Sequence, residues 1–202
     1  MADLSPIMAP PRGWIFDMDG TLTVAVHDFN AIRVALGLPA GAAILEQLAA
    51  LPAAQAAPLS RRLEAWERGL AERAIAGPGV GPLLETLRAR GVRLGVLTRN
   101  TRDLALLTLE RAGLLHYFAD EDVLGRGEAA PKPEPDGVVA LARRWALRPA
   151  EVVMVGDYLF DLQAGRRAGA RTALLDAERS GRWPEWADQR VTRLDHLLGV
   201  SW

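Results

Sequence analysis

The stretch "GWIFDMDGTLT" (13–23) starts as a short apolar run and then breaks into two aspartates, a glycine and two threonines. An apolar run that stops abruptly on a charge reads as a strand covered on both faces, as in a parallel sheet flanked by helices. Its carboxyl end delivers Asp17, with Asp19 just beyond, to the edge where open parallel sheets gather ligands. Two carboxylates this close repel unless a cation lies between them or one keeps its proton. Taken alone, the pair also reads as an ordinary Asp-Gly turn.

The same kind of run recurs at "VRLGVLT" (92–98), "EVVMVGD" (151–157) and "RTALLDA" (171–177). A weaker strand is expected at 121–125 and another near Val191. Segments 82–91, 101–113, 135–147 and 159–169 carry helical patterns between them. Strands alternating with helices predict an α/β fold, a Rossmann-like parallel sheet. The rhythm fails from 24 to 79, where helical patterns alone appear, broken by Gly37, Pro39, Pro52 and Pro58. The last of these helices is expected to begin at Pro58. The predicted organisation is a tail at 1–12, a core domain made of 13–23 and 80–202, and an inserted helical cap at 24–79.

The other strand ends add to the first. Thr98 closes the second strand and is followed by Arg99 and Asn100; Asp157 closes the third strong strand, with Asp161 in "GDYLFD" (156–161). Each has a structural reading, since a hydroxyl or carboxylate here also caps a following helix. Four carboxylates and a hydroxyl converging on one sheet edge make a poor structural device. They make a good site for Mg²⁺, a hard ion that takes a few carboxylates plus substrate phosphate oxygens. "APKPEPD" (130–136) then holds the single lysine among 24 basic residues, Lys132, fenced by three prolines. Codon bias explains the arginines; a site needing a compact ammonium rather than a planar guanidinium explains the exception.

"DMDGTLT", "LTRN", "PKPEPD" and "GDYLFD", in that order, resemble the four motifs of the haloacid dehalogenase superfamily of phosphohydrolases, over about 13–198. The helical insertion is similar to that superfamily's small C1-type cap, with a phosphoglycolate phosphatase-like branch as the nearest pattern. The resemblance implies that Asp17 is the nucleophile, forming an aspartyl-phosphate, and that Asp19 is the general acid and then base. It implies Mg²⁺ held by Asp17, the Asp19 carbonyl and Asp157, with Asp161 in direct or outer contact. It assigns phosphate binding to Thr98, Arg99, Asn100 and Lys132. The charges agree with those roles. Asp17, Asp157, Asp161 and a phosphate dianion total about −5, where one unit pair at about 4 Å costs roughly 4 kcal/mol at a dielectric near 20. Lys132 and Mg²⁺ together supply about +3, enough to let Asp17 attack.

The expected function is therefore a Mg²⁺-dependent phosphomonoester hydrolase of small phosphometabolites. Asp19 argues against dehalogenation, and a cap without lysine excludes Schiff-base phosphonate chemistry. A phosphosugar mutase and a non-catalytic binding or scaffold protein remain as alternatives. The cap offers His27, Arg33, Arg61, Arg62, Trp66 and Arg68 for the leaving group, an arginine suiting a carboxylate. A net charge of −1 gives no field for nucleic acid or anionic membrane. The chain has no cysteine, which removes disulfide and thiolate chemistry. No leader or spanning segment is read from the sequence, so a soluble cytoplasmic protein is expected, of undetermined oligomeric state.

Overall fold

The computed structural model describes residues 9–24, 29–40 and 43–202. The first eight residues of the expected tail, and His27, lie outside the described residues. Six parallel strands form one sheet in the order β3-β2-β1-β4-β5-β6. They are β1 (Gly13–Phe16), β2 (Arg93–Leu97), β3 (Val123–Leu124), β4 (Val152–Gly156), β5 (Arg171–Leu175) and β6 (Gln189–Val191). All four residues of β1 are buried, which fits its position in the middle of the sheet.

Pleating sends alternate β1 side chains into two cores. Trp14 and Phe16 join Leu83, Leu84, Leu87 and Leu109 beneath α4 (Val80–Ala89) and α5 (Arg102–Arg111). Ile15 joins Val138, Leu141 and Ala164 beneath α6 (Asp136–Arg144) and α7 (Leu159–Ala168). Each fully buried side chain of this size contributes about 1.5–3 kcal/mol. A charge at Ile15, which is 0% exposed, would oppose this directly. From β1 the chain winds one way to β2 and β3, then crosses back to β4 on the other flank of β1. The carboxyl ends of β1 and β4 thus meet where strand order reverses, the crevice in which such sheets bind ligands.

Between β1 and α4 stand α1 (Phe29–Leu36), α2 (Ile44–Ala49) and α3 (Ala53–Ala71). They share a small core of their own, built on Ile32, Leu36, Ile44, Leu48 and Leu63. The outgoing and returning chains run side by side: Val24 N–H donates to Ile75 O at 3.1 Å and Gly77 N–H to Leu22 O at 2.9 Å. One sequence expectation is corrected here. Helix α3 does not start at Pro58 but at Ala53, after Pro52, and carries Pro58 inside it. A proline this near the amino end removes one hydrogen bond, and the long apolar stripe below it outweighs that loss. No helix among the described residues is long and apolar enough to cross a membrane.

Candidate active site

Asp17 follows β1 and its N–H donates to Val155 O at 2.8 Å, carrying the ladder one residue past the strand. Its Oδ1 meets Lys132 Nζ at 2.5 Å, and the same ammonium meets Asp161 Oδ1 at 2.7 Å. Lys132 is only 2% exposed. It reaches the sheet edge from the loop ahead of α6, where Glu134 N–H closes a turn onto Pro131 O at 3.0 Å. Asp161 turns its other oxygen back to Tyr158 N–H at 3.1 Å, closing the first turn of α7.

Asp157 is oriented by Thr21, whose hydroxyl donates to its Oδ1 at 3.3 Å. Two glycines make room for the carboxylates. A Cβ on Gly156 would stand 2.3 Å from the Asp161 carboxylate; one on Gly20, where φ is +86°, would stand 2.5 Å from Asp157 Oδ2. Asn100 Nδ2 donates to Asp19 Oδ2 at 2.9 Å, and Asn100 N–H donates to Thr98 Oγ1 at 3.2 Å.

Four carboxylates near one buried ammonium decide the electrostatics. Burial works against the Lys132 charge, but Asp161 and Asp17 outweigh it and hold its pKa above the ordinary value. The carboxylates are short of positive charge. Burial, then Asp17 and Asp161, push Asp157 up to about 8. Burial raises Asp17 to about 7 against the pull of Lys132, with Asp161 and Asp19 adding to the rise. Burial also lifts Asp19 to about 6, again opposed by Lys132.

One oxygen each from Asp17, Asp157 and Asp161 lie within 4.8 Å of one another, the one such cluster among the described residues. An all-carboxylate set fits a hard cation such as Mg²⁺. The raised Asp157 is the electrostatic strain that a cation there would relieve.

Above the carboxylates a cavity of about 280 Å³ opens between core and cap. Arg33, Ile44, Leu45 and Leu63 line it from the cap, Tyr158 and Phe160 from the core. Thus the fold brings together Asp17, Asp19, Asp157, Asp161, Lys132 and Asn100, with Thr98 buried behind them. Of the cap residues expected to touch substrate, Arg33 lines the cavity and Arg61, Arg62, Trp66 and Arg68 do not. Arg62 instead donates to Ala35 O, and Trp66 is 41% exposed on α3. Arg99 lines the cavity, but its guanidinium is engaged by Glu46, the Lys132 carbonyl and the Phe160 ring. The sequence reading missed Thr21, Glu46, Phe160 and the cap-to-core pair of Glu67 with Arg126 at 3.1 Å. Thr21 and Phe160 carried a signal, as parts of the first and fourth motifs.

A doubly wound parallel sheet with acid groups at its switch point, under three helices with a core of their own, defines an α/β protein with its site at the strand ends. Residues 45–169 match the family model described as "Hydrolase: haloacid dehalogenase-like hydrolase". A haloacid dehalogenase-like hydrolase domain-containing protein of Arabidopsis thaliana is 30% identical over 211 residues, covering 94% of this chain and 84% of that protein. A phosphoglycolate phosphatase of Chromobacterium violaceum is 31% identical, over 76% of this chain and 80% of its own. The crystal structure of a hydrolase from Pseudomonas syringae superposes with a TM-score of 0.75 at 24% identity, covering 93% of this chain and 96% of that one. The chain belongs to the haloacid dehalogenase-like hydrolase family.

Proposed function

We propose that this hydrolase is a Mg²⁺-dependent phosphatase that cleaves small phosphomonoesters through an aspartyl-phosphate on Asp17. The observation that carries the reading is the buried Lys132 ammonium held by Asp17 and Asp161, with Asp19 beside them in the lining of the cavity. A receptor for a phosphate dianion needs that ammonium; a merely structural ion pair does not need a third and fourth carboxylate around it.

In this reading the Asp17 carboxylate attacks phosphorus while the bond to the leaving oxygen breaks. Asp19, whose carboxyl burial raises, gives its proton to that oxygen, while Lys132 and a bound cation would keep Asp17 ionised. Lys132, Thr98 and Asn100 hold the phosphoryl oxygens. In the second half, Asp19 takes a proton from water as the water attacks the aspartyl-phosphate, freeing phosphate and restoring Asp17. Mg²⁺ bound by Asp17, Asp157, Asp161 and the Asp19 carbonyl would supply positive charge against the phosphoryl oxygens.

The cavity is small, so the leaving group is small. Arg33 donates from Nη1 to Asn30 Oδ1 at 3.1 Å, and its Nε is buried without a hydrogen-bond partner. A carboxylate or second anion on the leaving group would satisfy it. Purified protein with Mg²⁺ is screened against a panel of phosphometabolites, with phosphate release as the readout and Asp17→Asn beside it. The reading expects free phosphate with acidic phosphomonoesters and none with Asp17→Asn. Isomerised product without free phosphate would make it a mutase, and no turnover of any member would make it a binding protein.

A further inference from the structure

Arg99 stands directly after Thr98, yet its guanidinium is spent in three other directions. Nη1 donates to the main-chain oxygen of Lys132 at 2.9 Å. Nη2 meets Glu46 of α2 at 2.6 Å. The guanidinium carbon lies 5.1 Å from the centroid of the Phe160 ring, beside Asp161 at the start of α7. One side chain therefore ties a cap helix to the loop that carries the site's ammonium. A planar fork with several fixed donors can hold a carbonyl, a carboxylate and an aromatic face at once; a lysine cannot.

We infer that Arg99 is a positioning residue that couples closure of the cap to the aim of Lys132. When α2 lies down, Glu46 fixes one end of the guanidinium and the other end fixes the Lys132 main chain. When α2 lifts, the fork loses its anion and the loop loses its brace. Glu46 is 45% exposed at its side chain, so the ion pair by itself is weak. That is too little to lock the cap and suits a contact that opens with every substrate. The coupling is read from geometry; its consequence for turnover rests on the phosphatase reading above.

Amide exchange by mass spectrometry on the whole, metal-free chain tests the coupling without any substrate. Glu46→Gln, a change made on the cap side alone, is expected to speed exchange severalfold at Glu134 on the core side as well as along α2. Arg99→Lys, which keeps the charge but not the fork, is expected to loosen the Lys132 loop while leaving α2 closer to wild type. In an Arg99→Met background Glu46→Gln is expected to add nothing to the loop. On any phosphomonoester the wild type turns over, Arg99→Met is expected to lower kcat about tenfold, misaim of a catalytic group being costly, with a smaller change in KM. Loop exchange unmoved by Glu46→Gln, or additive effects in the double variant, would overturn the coupling. An inactive wild type would instead sink the phosphatase reading, and the exchange result would still decide the role of Arg99.

Discussion

Asn100 donates from Nδ2 to Asp19 Oδ2 across 2.9 Å, joining the loop after β2 to the loop after β1. A donor to a carboxylate favours its ionised form, so this bond works against the burial that lifts Asp19 to about 6. Removing it in Asn100→Ala leaves the acid easier to keep protonated. The alkaline limb of kcat/KM, which reports loss of the Asp19 proton in the proposed first step, is then expected to move to higher pH. A pH profile of both proteins checks this, and a limb moving down would contradict the assigned acid.

Lys132 is held within 2.7 Å of two carboxylates in a site that leaves it 2% exposed. Lys132→Met is expected to lower turnover by about 10²–10³-fold, the scale of losing a preorganised charge at the reacting group. Lys132→Arg is expected not to restore it, because a planar guanidinium does not fit where one point charge meets Asp17 and Asp161. Steady-state kinetics of the two variants decide the matter; near-wild-type rates with arginine would refute the point-charge argument.

Gly20→Ala puts a Cβ 2.5 Å from Asp157 Oδ2 at a φ of +86°. The backbone strain alone is about 1–2 kcal/mol. The larger effect is expected on the cation, because the carboxylate that must move is a proposed ligand. The Mg²⁺ concentration giving half-maximal turnover is expected to rise about tenfold or more, at substrate saturation. Chelation of wild-type protein is expected to abolish turnover and added Mg²⁺ to restore it.

Away from the site, Asp176 accepts from Ser180 N–H and Oγ–H, Gly181 N–H and Arg190 Nη1. Burial would raise its pKa, but these donors outweigh burial and bring it to about 2. A depressed folded-state pKa means that the carboxylate contributes stability above its unfolded value, near 3.9, and loses it as pH falls toward 2. Asp176→Asn is therefore expected to cost about 1–2 kcal/mol at neutral pH. The gap from wild type should close between about pH 4 and pH 2 in denaturant titrations.

The strand ends were readable in the sequence because burial and chemistry coincide there. An apolar run such as "GWIF" requires two covered faces, and the polar residue that ends it must lie at the rim. Asp17 and Asp157 follow from that rule once the sheet is parallel, and Asp161 follows Asp157 in the same motif, in the first turn of α7. Arg99 shows where the rule stops. Its neighbour Thr98 locates its backbone, but a long flexible side chain goes where counter-charges are, and Glu46 lies far off in sequence. The cap contacts were illegible for the same reason. Helical periodicity shows that α3 has an apolar face, yet not that Glu67 rather than Arg61, Arg62 or Trp66 would meet the core. Pro58 misled because a proline marks a helix start more often than it survives inside one.

In the proposed reaction the phosphoryl group passes through Asp17. Rapid acid quench of the wild-type protein turning over a phosphomonoester with Mg²⁺, followed by cleavage after arginine, isolates the Gly13–Arg33 peptide for mass spectrometry. A phosphoryl adduct on Asp17 is expected in that peptide, absent without Mg²⁺ and absent in an Asp17→Asn variant that no longer turns over. Undiminished turnover by Asp17→Asn, or an adduct on Asp19 in its place, would contradict it.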